Sequence, residues 1–306
     1  MKINNIIKVL EKRDRWSIAV HRYDQGNRFF SAPPDRLAHF VGERGLRLNT
    51  SYQSVAADPF LFSFGGRLYL FFEVKTDHGH GNIHVHSMSV DGVWHDHGMV
   101  LSEPFHLSYP QVFEIQGRVY MIPEAAQSGT VRLYEADDFP YRWRSCAILI
   151  NEPLRDPTLL VTQAQGLFLL ATTSEYELKL YHSERVDRPF RDTGVIVTTD
   201  RSRARCAGGI LKVGKYLLRP AQDCSKFYGE RVHFQEILTD NSSIYAERPT
   251  ELQMDIPVET WMSLGTHHVS VEKFGDSFFV AVDGRGPDSR INSFMLGILR
   301  LGGLFS

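Results

Sequence analysis

The chain has few cysteines and no long apolar run, and both shortages limit what it can be. Cys146, Cys206 and Cys224 are its only thiols. An odd count without paired metal spacing excludes a disulfide-stapled or cysteine-ligated fold and fits a reducing compartment. No apolar stretch approaches the roughly 18 residues of a membrane span. Ile6 to Leu10 is too short, and too closely followed by Glu-Lys-Arg-Asp-Arg, for the core of a signal peptide. A cytoplasmic location is therefore expected. Excess positive charge is missing as well, with 34 Lys and Arg against 36 Asp and Glu, so the non-specific attraction behind nucleic-acid binding is absent. One basic run, Arg201-Ser-Arg-Ala-Arg, reads as a solvated loop. No long amphipathic helix alternates with the strands, which argues against βαβ units.

What the chain has instead is repetition. A short apolar strand, a tight Gly-containing turn and a second apolar strand recur five times, with polar residues at the same two ends. The copies run from Asp58-Pro59 to Glu73, Tyr109-Pro110 to Glu124, Asp156-Pro157 to Thr172-Thr173, Ala207-Gly208 to Gln222-Asp223, and His267-His268 to Asp283. Their starts are 51, 47, 51 and 60 residues apart, within or a little above the period of propeller blades. Pro59 to Leu70 aligns without a gap on Pro110 to Met121, and Gly65-Gly66 and Gln116-Gly117 supply the positive φ of two-residue hairpin turns. Third strands are expected at Ile83 to Met88, Val131 to Tyr134, Leu178 to Tyr181, Val232 to Gln235 and Ile291 to Leu296. Fourth strands fit Trp94 to Leu101, Trp143 to Ile150 and Thr193 to Thr198. The expected fold is all-β, a five-bladed β-propeller in one domain over residues 16–306. The strand Trp16 to Arg22 completes the last blade, and residues 1–15 form a short helix or rim segment.

The first and last residues of a hairpin share one end. Five blades would therefore gather Asp58, Glu73, Tyr109, Glu124, Asp156, Gln222, Asp223, His267 and Asp283 around one mouth. Asp58, Glu124 and Asp156 are the candidate catalytic residues, because a pair of carboxyls across a cleft can protonate a leaving oxygen and supply a base or nucleophile. Asp58 and Asp156 precede prolines, which hold the preceding residue extended; the plainer reading is that Asp-Pro merely opens a blade. Glu124 ends an apolar strand, where a charge needs water, a partner or a substrate. Arg219, Gln222 and Tyr228 add a guanidinium for an anionic group, an amide for hydroxyls and, with Tyr109, an aromatic platform. Arg219 serves equally well in a structural salt bridge. The stretch His78 to His86 reads as loop histidines rather than a metal site, and no metal or cofactor is expected.

These motifs also resemble a family. Ala57-Asp58-Pro59-Phe60, Tyr109-Pro110 with Met121-Ile122-Pro123-Glu124, Asp156-Pro157-Thr158, and Arg219-Pro220-Ala221-Gln222-Asp223-Cys224 with Tyr228-Gly229 look like the N-terminal domain of plant glucosamine inositolphosphorylceramide transferases and its bacterial relatives. The resemblance implies likeness to five-bladed glycoside hydrolases acting on furanosides and fructans. There an Asp opening the first blade is nucleophile or base and an Asp opening the third orients or stabilises; Asp58 and Asp156 match. The general acid of those enzymes opens the fourth blade, and Cys206-Ala207-Gly208-Gly209 stands in its place. The transferase activity of the plant proteins is expected in a separate C-terminal domain. Two classes stay open. One is a glycosidase or glycosyltransferase using Asp58, Glu124 and Asp156; the other is a non-catalytic glycan-binding propeller. Either would take a sugar or glycoconjugate and work beside enzymes of cell-surface polysaccharide or glycolipid synthesis, without nucleic acid or a transmembrane segment.

Overall fold

Along Arg67–Thr76, Leu68, Leu70, Phe72 and Val74 enter one buried cluster while Tyr69 and Phe71 enter another. Side chains alternate across a strand, so apolar residues on both faces require a sheet covered on both sides. Stacked blades supply that cover. The computed structural model describes residues 14–24, 35–41, 54–76, 79–162, 166–238, 245–253 and 259–287.

Two strands come first, β1 (Asp14–Tyr23) and β2 (Asp35–Val41). Blade one is β3 (Ser54–Phe64), β4 (Arg67–Thr76), β5 (Asn82–Met88) and β6 (Trp94–Leu101). Blade two is β7 (Ser108–Ile115), β8 (Arg118–Glu124), β9 (Val131–Asp138) and β10 (Arg142–Ile150). Blade three is β11 (Arg155–Thr162), β12 (Gly166–Thr172), β13 (Leu178–Ser183) and β14 (Arg191–Thr198). In blade four the inner strand is broken into β15 (Arg205–Cys206) and β16 (Leu211–Val213), followed by β17 (Tyr216–Asp223), β18 (Arg231–Leu238) and β19 (Ala246–Pro249). Finally β20 (Val269–Phe274) and β21 (Ser277–Pro287) join the first two strands in the order β2-β1-β21-β20. The molecule is a five-bladed β-propeller, with no α-helix among the described residues.

The N-terminal strand closes the ring as the sequence suggests, pairing antiparallel with β21 from Asp14↔Pro287 to Tyr23↔Phe278. It takes the third place in that blade. The strand expected from Ile291 to Leu296 lies outside the described residues, as does the helix expected over residues 1–15 up to residue 13; Asp14 and Arg15 already belong to β1. In the first two hairpins Phe64↔Arg67 and Ile115↔Arg118 flank two-residue turns in which both central residues have positive φ, Gly65-Gly66 and Gln116-Gly117. That is the geometry matched to strand twist.

Buried apolar side chains of the described residues form five clusters, four between adjacent blades and one that joins blades three and four to Phe60 and Tyr109 of the first two. Ile18, Val20 and Phe279 of the last blade meet Leu61, Leu68 and Leu70 of the first. Closure is thus made by packing as well as by the ladder. Ile18 is fully buried, so Ile18→Ala should destabilise the protein by about 2–5 kcal/mol in urea unfolding. A loss no larger than that of a surface substitution, about 0.5 kcal/mol, would show that the N-terminal strand does not carry the closure.

Candidate active site

Three inner strands slip register at the same point: between Ala57 and Phe60, Ser108 and Gln111, and Arg155 and Thr158. Each slip contains the residue before the blade-opening proline. Proline has no N–H for the ladder, and the pair is extruded as a bulge. The sequence expectation of an extended residue before proline is overturned here. Asp58, Tyr109 and Asp156 have φ of 53°, 49° and 49°, a left-handed conformation that is strained for non-glycine residues by about 1–3 kcal/mol each. Their N–H groups turn out of the ladder toward carboxylates of the preceding blade. Asp58 donates to Asp283 Oδ2 (3.2 Å), Tyr109 to Asp58 Oδ2 (3.2 Å) and Asp156 to Glu124 Oε2 (3.1 Å). Strain, bulge and hydrogen bond together draw Asp283, Asp58, Glu124 and Asp156 into one mouth.

Arg205 and His267 balance part of this charge. Arg205 grips Asp156 with both arms of its guanidinium, Nε to Oδ2 at 2.6 Å and Nη2 to Oδ1 at 2.9 Å, and lies 3.9 Å from Glu124 Oε2. His267 Nδ1 lies 2.5 Å from Asp283 Oδ2, and Asp283 Oδ1 accepts the backbone N–H groups of His267 and His268. Burial opposes the charged imidazole of His267, but Asp283 outweighs it and the pKa rises. Burial likewise opposes the Asp283 carboxylate, and His267 brings its pKa below the ordinary value.

Asp58 and Glu124 meet the same two groups only at longer range, His267 Nδ1 at 3.7 Å from Asp58 Oδ1 and Arg205 at 3.9 Å from Glu124 Oε2. Burial, then Asp283 and Asp156, lift Asp58 to about 7 against the pull of His267 and Arg205. Glu124 is raised to about 8 by burial and by Asp156, against Arg205. Glu73 stands well above the usual carboxyl range, through burial and Asp58. His106 faces it: Nδ1 accepts the Gly81 N–H at 2.9 Å, so the proton is on Nε2, 3.4 Å from Glu73 Oε1. Asp58, His267 and Asp283 offer three ligand atoms within 4.8 Å of one another, enough for a metal ion. Two of those residues are already joined in the His267–Asp283 pair.

Several expected site residues lie elsewhere. Arg219 is fully buried and bound to Glu247 by two contacts of 2.8 and 2.6 Å, so it does not reach the mouth. The neighbouring carboxylate is close enough to absorb the guanidinium, and the salt-bridge reading holds. Tyr109 is no platform: its ring is buried against Phe60 and His268, and its hydroxyl accepts the Gly208 N–H at 2.8 Å and lies 2.8 Å from Thr158 Oγ1. Gln222 is buried and accepts the Cys224 thiol, while Asp223 accepts the Ser225 N–H and faces His233 Nε2 at 3.2 Å. Tyr228, partly exposed, lies under Arg205 and edge-on to His267 and Trp16. His84 and His86 lie in β5, within the third strand expected from Ile83 to Met88, and are buried beside Phe72. Asp77 and His78 lie outside the described residues.

Sequence reasoning missed Arg205 and Trp16. Arg205 ends the basic run taken for a solvated loop, and its register opposite Gln222 at the end of β17 was the available signal. Trp16 stacks on His267 with centroids 3.9 Å apart. At the opening of blade four, a side chain on Gly208 would place its Cβ 1.9 Å from the Val269 carbonyl oxygen. Gly208 matches the prolines of the other blades, and Ala207 stands where Asp58 and Asp156 do.

Residues 46–285 match the family model "Glucosamine inositolphosphorylceramide transferase 1, N-terminal", and the chain belongs to this family. Glucosamine inositolphosphorylceramide transferase 1 of Oryza sativa subsp. japonica is 33% identical over 242 residues, 74% of this chain and 32% of the rice protein. The Arabidopsis thaliana protein of that name is 28% identical over 296 residues, 91% of this chain and 37% of its own length. The chain thus spans about a third of these curated relatives. Among solved structures, a GH43_1 enzyme from Xanthomonas citri superposes with a TM-score of 0.53 at 15% identity, covering 78% of this chain and 88% of that one. An α-L-arabinofuranosidase from Clostridium thermocellum gives 0.53 at 11% identity, covering 74% and 81%. Those likenesses concern the fold.

Tyr109→Phe should test the structural assignment of that residue. It removes the acceptor of the buried Gly208 N–H, and urea unfolding should register a loss of about 1–3 kcal/mol. Unchanged stability would contradict the role of the hydroxyl as a pin between blades two and four.

Proposed function

We propose that the mouth binds a sugar or glycoconjugate and acts on its glycosidic bond, by hydrolysis or transfer. Glu124 is the acid, Asp58 the base or nucleophile, and Asp156 the orienting carboxylate. The observation that carries this reading is the pair of buried carboxyls on neighbouring blades, raised to about 7 and about 8. Glycosidic chemistry needs one acid that keeps its proton near neutral pH and one carboxylate that has lost it. Arg205 holds Asp156 in place beside them. The names of the curated relatives support a role in glycolipid synthesis, beside the enzymes of that process.

An anionic ligand, expected while Arg219 was taken for a mouth residue, is not part of the proposal. Arg219 and Arg205 are both held by carboxylates. A second reading, a propeller that binds glycans without turnover, draws on blade four, where Ala207 stands at the place that Asp58 and Asp156 hold in blades one and three.

The pH dependence separates the two. The base works once Asp58 ionises, above about 7, and the acid works while Glu124 stays protonated, below about 8. Turnover of a nitrophenyl glycoside panel should therefore rise through the first value and fall through the second. Asp58→Asn and Glu124→Gln should each abolish it. Stability gives an independent sign. The folded pKa of Asp58 lies above its ordinary value of 3.8, so the folded state loses stability as pH rises from there through about 7. Asp58→Asn should consequently raise Tm at pH 8 and much less at pH 4. Sugar binding that is independent of pH, with no cleavage or transfer, would favour the binding module.

A further inference from the structure

We infer that the ligand is extended, and that the unit next to the one in the mouth lies in a groove between blades four and five. This rests on the reading of the mouth as a sugar site. The groove has a volume of about 430 Å³ and is lined by Phe227, Val232, His233, Met262 and Leu264, among others. Two short chain segments contribute to both groove and mouth. Phe227 faces the groove and the next residue, Tyr228, lies under Arg205. Gly265 and Thr266 line it and the next residue, His267, holds Asp283.

Its walls are fixed before any ligand arrives. A Cβ on Gly265 would lie 2.1 Å from the Gly229 carbonyl oxygen, and one on Gly229 would lie 2.8 Å from the Trp16 ring. The two loops therefore touch backbone to backbone, which only glycine permits. The Leu264 N–H donates to the Arg285 carbonyl and the Arg285 N–H to the Gly265 carbonyl, both at 2.8 Å, strapping the second loop to β21. Arg285 also lies over the Phe227 ring at 5.2 Å.

The lining suits a sugar ring better than a purely apolar group. Phe227 and Leu264 are partly exposed and offer a flat apolar surface for ring C–H groups. Glu230, held by Lys226 and Arg231, His233, facing Asp223, and Gln253 and Ser263 make the rest of the lining polar, as a hydroxyl-bearing ring requires. An exposed aromatic beside polar side chains in a preformed groove is the combination that binds a polar ring with little ordering cost. The occupant is thus a second sugar of a glycan or glycoconjugate chain, and single sugars are weak ligands.

The test uses methyl glycosides, disaccharides and trisaccharides of arabinofuranose, xylose, glucosamine and N-acetylglucosamine. Affinity is measured together with the ring resonances of His233, in the groove, and His267, in the mouth. In the series that binds, the trisaccharide should bind about tenfold tighter than the methyl glycoside and shift both histidines. Phe227→Ala should remove that advantage and leave methyl-glycoside affinity unchanged, while Phe227→Tyr should keep it. Equal affinity at every length with His233 unmoved overturns the groove and leaves the mouth standing. A shift of His233 alone supports the groove and overturns the mouth. If no sugar of any length moves either histidine, both fall.

Discussion

The site depends on one local conflict, a proline at the start of an inner strand. Pro59, Pro110 and Pro157 have no N–H for the neighbouring strand, and the pair X-Pro leaves the ladder at each place. The freed N–H of X must find another acceptor, since a buried donor without one costs about 1–3 kcal/mol. In all three cases it finds a carboxylate from the preceding blade. A structural requirement of the fold thus places acids at the mouth. The same requirement explains why Asp58 serves twice, donating through its backbone and accepting through its side chain.

Acids gathered this way must be charged in pairs or remain neutral. Asp156 has Arg205 and Asp283 has His267. Asp58, Glu73 and Glu124 have no cation of their own and burial lifts all three. The result is a mouth with little net charge near neutrality that still contains protons to give and a carboxylate to form. Its chemistry follows from incomplete pairing, which a fully salt-bridged propeller axis would lack.

Much of the architecture was legible because it is written in local signals. The turns at Gly65-Gly66 and Gln116-Gly117, the alternation along Leu68 to Val74, and the repeat spacing all act within a few residues or one blade. The isolated strand at Trp16 could be assigned to the last blade because a propeller leaves no other edge for it. The convergence of Asp58, Glu124 and Asp156 was legible for the same topological reason. Ion pairing was not. Whether Arg205 or Arg219 reaches the mouth depends on Glu247, a carboxylate contributed by the outermost strand of blade four, which holds Arg219 inside. The left-handed φ at Asp58 and Asp156 was hidden as well, since the residue before proline is ordinarily extended and only the distant acceptors reverse that preference.

The central claim is that the mouth holds carboxyls kept neutral by burial, and the most direct measurement is their titration. With Asp and Glu labelled at the carboxyl carbon, NMR follows each group separately, and Asp58→Asn and Glu124→Gln assign the two resonances. The account expects Asp58 to titrate at about 7 and Glu124 at about 8. Midpoints near the ordinary values of 3.8 and 4.5 would mean that both are ionised and solvated at neutral pH, and would contradict it.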